Sequence, residues 1–189
     1  TFDIDFRDHP FNPTKGTFTR WNVEYGSPDL GSTRTIEYLR SIFSFTHYKS
    51  VYKPGWVLAN SVRFGFLRNL STLDDGGVPY DKKGLILGGQ STIRGFQPGE
   101  SFPNANDFKE IVANNLIVND EYKLTTEAQM ALIKSEIRFP VKGNIGGAVF
   151  YDGGAVWVKG VDFKDPYRDT VGVAFRYATP VGAVSLEWG

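Results

Sequence analysis

The chain has 189 residues, 21 basic and 21 acidic groups, and no cysteine. Zero net charge without a Lys/Arg block argues against a nucleic-acid partner, and the lack of cysteine removes disulfide frameworks, thiol catalysis and Cys-based zinc sites. No apolar run approaches the ~18–20 residues of a membrane-spanning helix, yet 15 Phe, 9 Tyr and 4 Trp beside 21 Gly warn against a soluble domain.

The dominant period is two. From Phe2 to Asp8 apolar and charged residues alternate, which places Phe2, Ile4 and Phe6 on one face of a strand. His9 to Gly16 is a turn by its proline and glycine content. Thr17–Tyr25 alternates again, with Trp21, Val23 and Tyr25 opposed to Arg20, Asn22 and Glu24. After the 27–32 loop, Arg34–His47 is strand-like with mixed faces, and the 48–55 turn leads into Trp56–Leu67. Beyond a long interruption, Thr125–Phe139 sets Ile133, Ile137 and Phe139 against Lys134, Glu136 and Arg138. A tight turn at 140–143 precedes Asn144–Trp157, in which Gly146, Ala148, Asp152 and Gly154 oppose Ile145, Val149, Tyr151 and Trp157. Thr170–Ala178 and Ala183–Trp188, joined by Thr179-Pro180-Val181-Gly182, complete eight expected strands.

Alternation alone fits two architectures. In a soluble sandwich the apolar face is inside and meets a second sheet; in a membrane barrel it meets lipid, and charged and small residues line the interior. Two features favour the barrel. Aromatics sit near expected strand ends (Trp56, Phe139, Tyr151, Trp157, Tyr177, Trp188), and short turns alternate with long loops.

Residues 68–124 break the rhythm, and loops this long are usually functional or disordered. Asp74, Asp75 and Asp81 suggest calcium, but their spacing lacks the Asp-x-Asp-x-Asp-Gly pattern and its distal Glu, so a solvated loop is the better reading. Residues 104–116 have the pattern of a short packing helix. Between these parts lies Gly88-Gly89-Gln90-Ser91-Thr92-Ile93-Arg94-Gly95-Phe96. Its glycines allow a tight hairpin, Arg94 offers a five-donor fork and Phe96 an apolar anchor. As bare chemistry this could equally be a surface arginine on a flexible loop.

The segment resembles the Val/Ile-Arg-Gly-Phe/Tyr motif of the sixth loop in the bacterial surface antigen superfamily. These are the BamA-type outer-membrane barrels that insert other barrels, with their translocation-assembly and two-partner-secretion relatives. The turn from Arg7 to Gly16 and the segments Glu136–Pro140, Phe150–Trp157 and Val173–Trp188 resemble further family motifs, in the family's order.

The resemblance implies an all-β fold, an antiparallel transmembrane β-barrel, with residues 1–189 as part of a larger sixteen-stranded barrel domain and 68–124 as its extracellular-side loop. It implies a loop motif of Ile93, Arg94, Gly95 and Phe96, with Glu136 and Asp152 as inner-wall partners of Arg94. The function it implies is folding and inserting β-barrel proteins into the outer membrane, the alternative being a translocator of the same superfamily. Implied partners are outer-membrane lipid, unfolded outer-membrane proteins, and accessory lipoproteins met through periplasmic domains not present here. Eight strands and an end at Trp188-Gly189 are then read as a fragment, not active alone. No catalytic residue, metal or cofactor is implied. A barrel enzyme is the less favoured reading, since His9 and His47 stand beside neither a Ser nor a paired-carboxylate motif. An eight-stranded barrel has an interior just filled by side chains, so if the piece closes on itself, most of 68–124 is expected outside it.

Overall fold

In the computed structural model, residues 1–97, 117–118, 121–160, 165–179 and 182–189 are described. The alternating segments form β1 (Phe2–Asp5), β2 (Gly16–Gly26), β3 (Tyr38–Ser50), β4 (Val57–Asn69), β8 (Glu127–Lys142), β9 (Ile145–Val158), β10 (Tyr167–Thr179) and β11 (Gly182–Trp188). They make one antiparallel sheet in the order β1-β2-β3-β4-β8-β9-β10-β11. Between β4 and β8 the chain forms a second, small sheet of β5 (Val78–Pro79), β6 (Ile117–Val118) and β7 (Glu121–Leu124), with one helical turn, α1 (Tyr80–Lys83). The 104–116 helix expected from the sequence lies outside the described residues. Among the described residues β1 and β11 do not pair with each other, so the large sheet is open.

Register carries the alternation across the sheet. One inward row runs Gly16, Tyr48, Ala59, Glu136, Phe150, Gly172, and the next runs Phe18, Thr46, Ser61, Lys134, Asp152, Thr170. The opposite face presents Trp21, Phe43, Phe64, Ile133, Val149, Val173, Phe175, Leu186 and Trp188 to the surroundings, with Phe64 54% and Leu186 59% exposed. Among the described residues no second sheet covers this face, as a sandwich would require. An apolar patch this wide is unstable in water but matched to hydrocarbon. Strands of 13 residues (β3, β4, β10) exceed the ~9–11 that a tilted strand needs to cross a bilayer.

The inward face has two halves. Near the long loop it is apolar: Leu67, Ala128, Met130, Leu132, Val156 and Val158 are covered by Val78, Tyr80, Leu85, Leu87, Ile93 and Leu124 of the loop, forming the buried core. The other half carries the charges. Among the described residues, 78–97 are therefore not expelled but packed against the inward face, and the strand ladder does not close, so the condition for expulsion is not met.

Several boundaries differ from the sequence reading. The third strand begins at Tyr38 rather than Arg34. Before it, Pro28–Leu30 forms a 3-10 turn, with Ser27 Oγ accepting from the Asp29 amide and Gly31 at φ 93°. The expected 140–143 turn is displaced, since β8 continues through Pro140 to Lys142 by means of a bulge. A bulge accommodates a residue that cannot donate to the ladder. Tyr151, expected near a strand end, lies mid-strand in β9, where its hydroxyl meets that of Tyr167 at 2.5 Å.

The β1–β2 turn is organised by Asp8. Its carboxylate accepts from the Thr14 hydroxyl (2.5 Å) and from the Thr14 and Lys15 amides (2.9 and 3.1 Å). These donors, the hydroxyl first, hold the Asp8 carboxyl well below the usual carboxylate range. A carboxylate whose pKa is lowered in the folded state stabilises above its unfolded pKa, and the contribution is lost as pH falls through the folded value. In Asp8→Ala, exchange of the Thr14 and Lys15 amides should accelerate at neutral pH. In the unmodified protein the same loosening should need pH well below 3.8. Unchanged exchange in the variant would refute this account of the turn.

Candidate functional site

The site begins with local backbone geometry. Gly88, Gly89 and Gly95 take φ of 105°, 89° and 89°, a region that disfavours a Cβ. They let the segment fold back, with the Gly89 amide donating to Phe96 O at 2.7 Å and the Thr92 hydroxyl to Gly88 O at 2.7 Å. Ile93 is fully buried in the loop–sheet core, and Phe96 packs partly against it. A Cβ on Gly95 would come within 2.9 Å of the Gly189 carbonyl carbon, so this glycine permits close approach to the end of β11.

The base of the loop is also anchored. Lys83 Nζ pairs with Glu24, Arg40 Nε donates to Lys83 O at 2.9 Å, and the Tyr38 hydroxyl donates to Glu24 at 2.7 Å. The hydrogen bond to Glu24 raises the Lys83 ammonium above its ordinary pKa, keeping it charged. Burial pushes the Tyr80 hydroxyl up as well, so it stays neutral and donates to Leu85 O at 3.0 Å.

Pinned at Ile93, the chain presents Arg94 to the inner wall. Its Nε and Nη2 donate to the two oxygens of Asp152 at 2.6 and 2.7 Å, and its own amide reaches Oδ2 at 3.1 Å. Nη1 donates to Glu136 Oε2 at 2.7 Å. The structure thus brings together Arg94, Glu136 and Asp152, which are 42 and 58 residues apart in sequence. Asp152 is fully buried, and Arg94 and Glu136 nearly so. A bidentate Arg–carboxylate pair shielded from water is a strong, directional tie.

Other residues complete the arrangement. The Arg94 guanidinium lies 3.5 Å from the centroid of the Phe150 ring. Glu136 Oε1 accepts from Arg138 Nε (2.7 Å) and Arg176 Nη1 (3.0 Å). Glu187 lies 3.6 Å from Arg94, and Lys134 3.6 Å from Asp152 while donating to Gln90 O at 3.2 Å. Alternation places Lys134 and Arg138 on this face, and the register adds Arg176 and Glu187; nothing in the sequence ties any of them to Arg94. Phe150 went unread because an aromatic among lipid-facing neighbours does not announce itself; its even spacing from Asp152 was the available signal.

Gly172 makes room for Phe150. A Cβ there would collide with the Trp188 carbonyl oxygen and the Phe150 ring. Gly172→Ala should therefore destabilise by about 1–3 kcal/mol through overpacking, read as a lower urea midpoint; an unchanged midpoint would show that the strand yields freely.

The arrangement is an electrostatic clamp between the loop and the strands. Among the described residues no group of three His, Asp or Glu side chains is placed to hold a metal ion. Asp74 and Asp75 are exposed in the turn before β5, and the Asp81 side chain lies outside the described set.

A sheet with an apolar outward face, a charged inward face and a loop clamped to that inner face is the wall of a transmembrane β-barrel. The chain belongs to the Omp85 superfamily, whose domain matches residues 1–189, and it is a protein of the outer membrane. It is 29% identical over 155 residues to the sorting assembly machinery 50 kDa subunit of Saccharomyces cerevisiae, covering 82% of this chain and 28% of that protein. Its fold is similar to that of BamA from Haemophilus ducreyi lacking POTRA domains 1-3, with a TM-score of 0.68 and 20% identity. That match covers 98% of this chain and 37% of the other. The chain thus spans 28% and 37% of the lengths of these relatives.

Proposed function

We propose that this chain forms part of the wall of a barrel that folds and inserts β-barrel proteins into the outer membrane. The observation that carries the reading is Arg94, held by four hydrogen bonds to Asp152 and Glu136 in a chain of the Omp85 superfamily. In this reading Ile93 and Phe96 seat the loop, Gly95 allows close approach to β11, and Arg94 ties the loop to β8 and β9. The 68–124 segment belongs to the extracellular side. The clamp stiffens this part of the wall, so that opening is confined to a seam elsewhere in the complete barrel.

At that seam the barrel thins the bilayer and offers an unpaired strand edge to an incoming chain. Such edges are normally a liability; here the edge is the tool. No covalent bond is made or broken, and no cofactor takes part. Partners are outer-membrane lipid along the outward face, unfolded outer-membrane proteins, and accessory lipoproteins met through periplasmic domains beyond this chain. The activity belongs to the complete protein.

The test places the full-length protein in vesicles and adds a urea-unfolded outer-membrane barrel, scoring folding by heat-shifted gel migration. Folding should be several-fold faster than with empty vesicles and slower again with Arg94→Ala. Equal rates with and without the protein would reject the reading. Transfer of the substrate into the vesicle lumen, without its insertion, would instead identify a translocator.

A further inference from the structure

We propose that a cavity beside the clamp, at the turn end of the strands, binds a phosphate group held by Arg138 and Arg176. Charge points to it first. Glu136 Oε1 receives both Arg138 Nε and Arg176 Nη1, and its Oε2 is already bonded to Arg94 Nη1. Asp152 is occupied by Arg94, and Glu187 takes the Ser185 hydroxyl at 3.0 Å while facing Arg94. Two guanidinium groups therefore converge on one oxygen of a carboxylate that has none to spare. Like charges brought together in a partly buried place favour a further anion.

Geometry points the same way. Among the described residues, Arg138 donates through Nε and Arg176 through Nη1, both to Glu136 Oε1, which leaves the other donors of each fork for a further acceptor. Both side chains line a cavity of about 240 Å³, together with Asn12, Thr14, Asn144 and the glycine-bearing backbone of 143–147. No acidic side chain lines it among the described residues. The two arginine side chains are 19% and 18% exposed, so their donors are reachable yet shielded. The Tyr48 ring, 5.4 Å from the Arg138 guanidinium, helps to fix one fork. Two planar forks that converge on one carboxylate oxygen, on residues lining one cavity, suit an anion with several acceptor oxygens around a single centre, which describes phosphate better than a carboxylate.

The phosphate could come from solution or from a lipid headgroup, because the cavity lies where the strands turn. The experiment uses the full-length protein in two arms. In a phosphate-free maltoside detergent, inorganic phosphate is titrated calorimetrically, with chloride at equal ionic strength as control. In nanodiscs, phosphatidylglycerol is compared with a phosphate-free galactolipid, reading the temperature of the heat-shifted gel transition. Phosphate or phosphatidylglycerol should stabilise the unmodified protein, and the response should weaken at least tenfold in binding or vanish in Arg138→Gln and Arg176→Gln. Arg176→Lys keeps the charge but not the fork; it guards against loss of fold and should bind more weakly than the unmodified protein. Saturable binding in the detergent arm identifies free phosphate, and a response confined to phosphatidylglycerol identifies the headgroup. No response in either arm, or equal responses in folded Arg variants, overturns the proposal.

Discussion

Replacing Arg94 by alanine is expected to lower the unfolding free energy by about 3–5 kcal/mol, the usual cost of breaking a buried ion pair from one side. The size follows from what stays behind. Asp152 is fully buried and would lose all three of its hydrogen bonds from Arg94. Lys134, 3.6 Å away, offsets part of this, while Glu136 keeps Arg138 and Arg176. The larger penalty therefore falls on Asp152. Arg94→Lys retains the charge but cannot span both Asp152 oxygens, so it should fall between alanine and arginine. Arg94→Ala combined with Asp152→Asn should lose less than Arg94→Ala alone, since removing both charges strands neither. The midpoint of the heat-shifted gel transition, or of urea unfolding, separates these variants. If all of them melt with the unmodified protein, the clamp does not hold the loop.

Phe150→Ala is expected to cost a similar amount, about 3–5 kcal/mol, by opening a cavity in a site that cannot collapse. Phe150 is among the largest fully buried side chains and stands between Glu136 on β8 and Gly172 on β10. Its ring also supports the Arg94 guanidinium from 3.5 Å. Phe150→Leu refills most of the volume without a π face. The difference between leucine and phenylalanine should then report the cation–π contribution, about 0.5–2 kcal/mol. Urea unfolding of both variants, in the presence and absence of Arg94→Lys, tests the coupling. If Phe150→Leu costs the same in either background, the ring and the guanidinium act independently.

Much of the sheet was legible in the residue order because lipid on one side and a lined interior on the other impose a period of two. Where the contrast is sharp, as in Ile133 and Ile137 against Lys134 and Glu136, or Val171 and Val173 against Gly172, the face assignments carry through the register. Where it fades, the reading fades with it. Met130, Leu132, Val156 and Val158 face inward beside outward Ala131 and Trp157. Both faces there are apolar because the loop, not water, covers the inner one. Arg34–His47 was ambiguous for a related reason: inward Tyr38 and Ile42 are as apolar as outward Leu39 and Phe43, and the strand start is set by a turn capped upstream.

The sequence by itself determined alternating strands with one apolar face, the placing of Glu136 and Asp152 on the opposite face, and the conformational freedom that Gly88, Gly89 and Gly95 give to the Arg94 segment. These are local properties, written in alternation and in glycine. Only the tertiary structure decided that residues 78–97 lie on the inward face of the sheet, that Phe150 supports Arg94, and that Arg138 and Arg176 share one oxygen of Glu136. Each of these depends on strands far apart in the chain meeting in one register, and no local period records such distances. The aromatic surplus, with its balanced charge, acquires its meaning there: among the described residues rings such as Trp21, Phe43, Phe64, Trp157 and Trp188 face outward, and opposite charges converge on the inner wall.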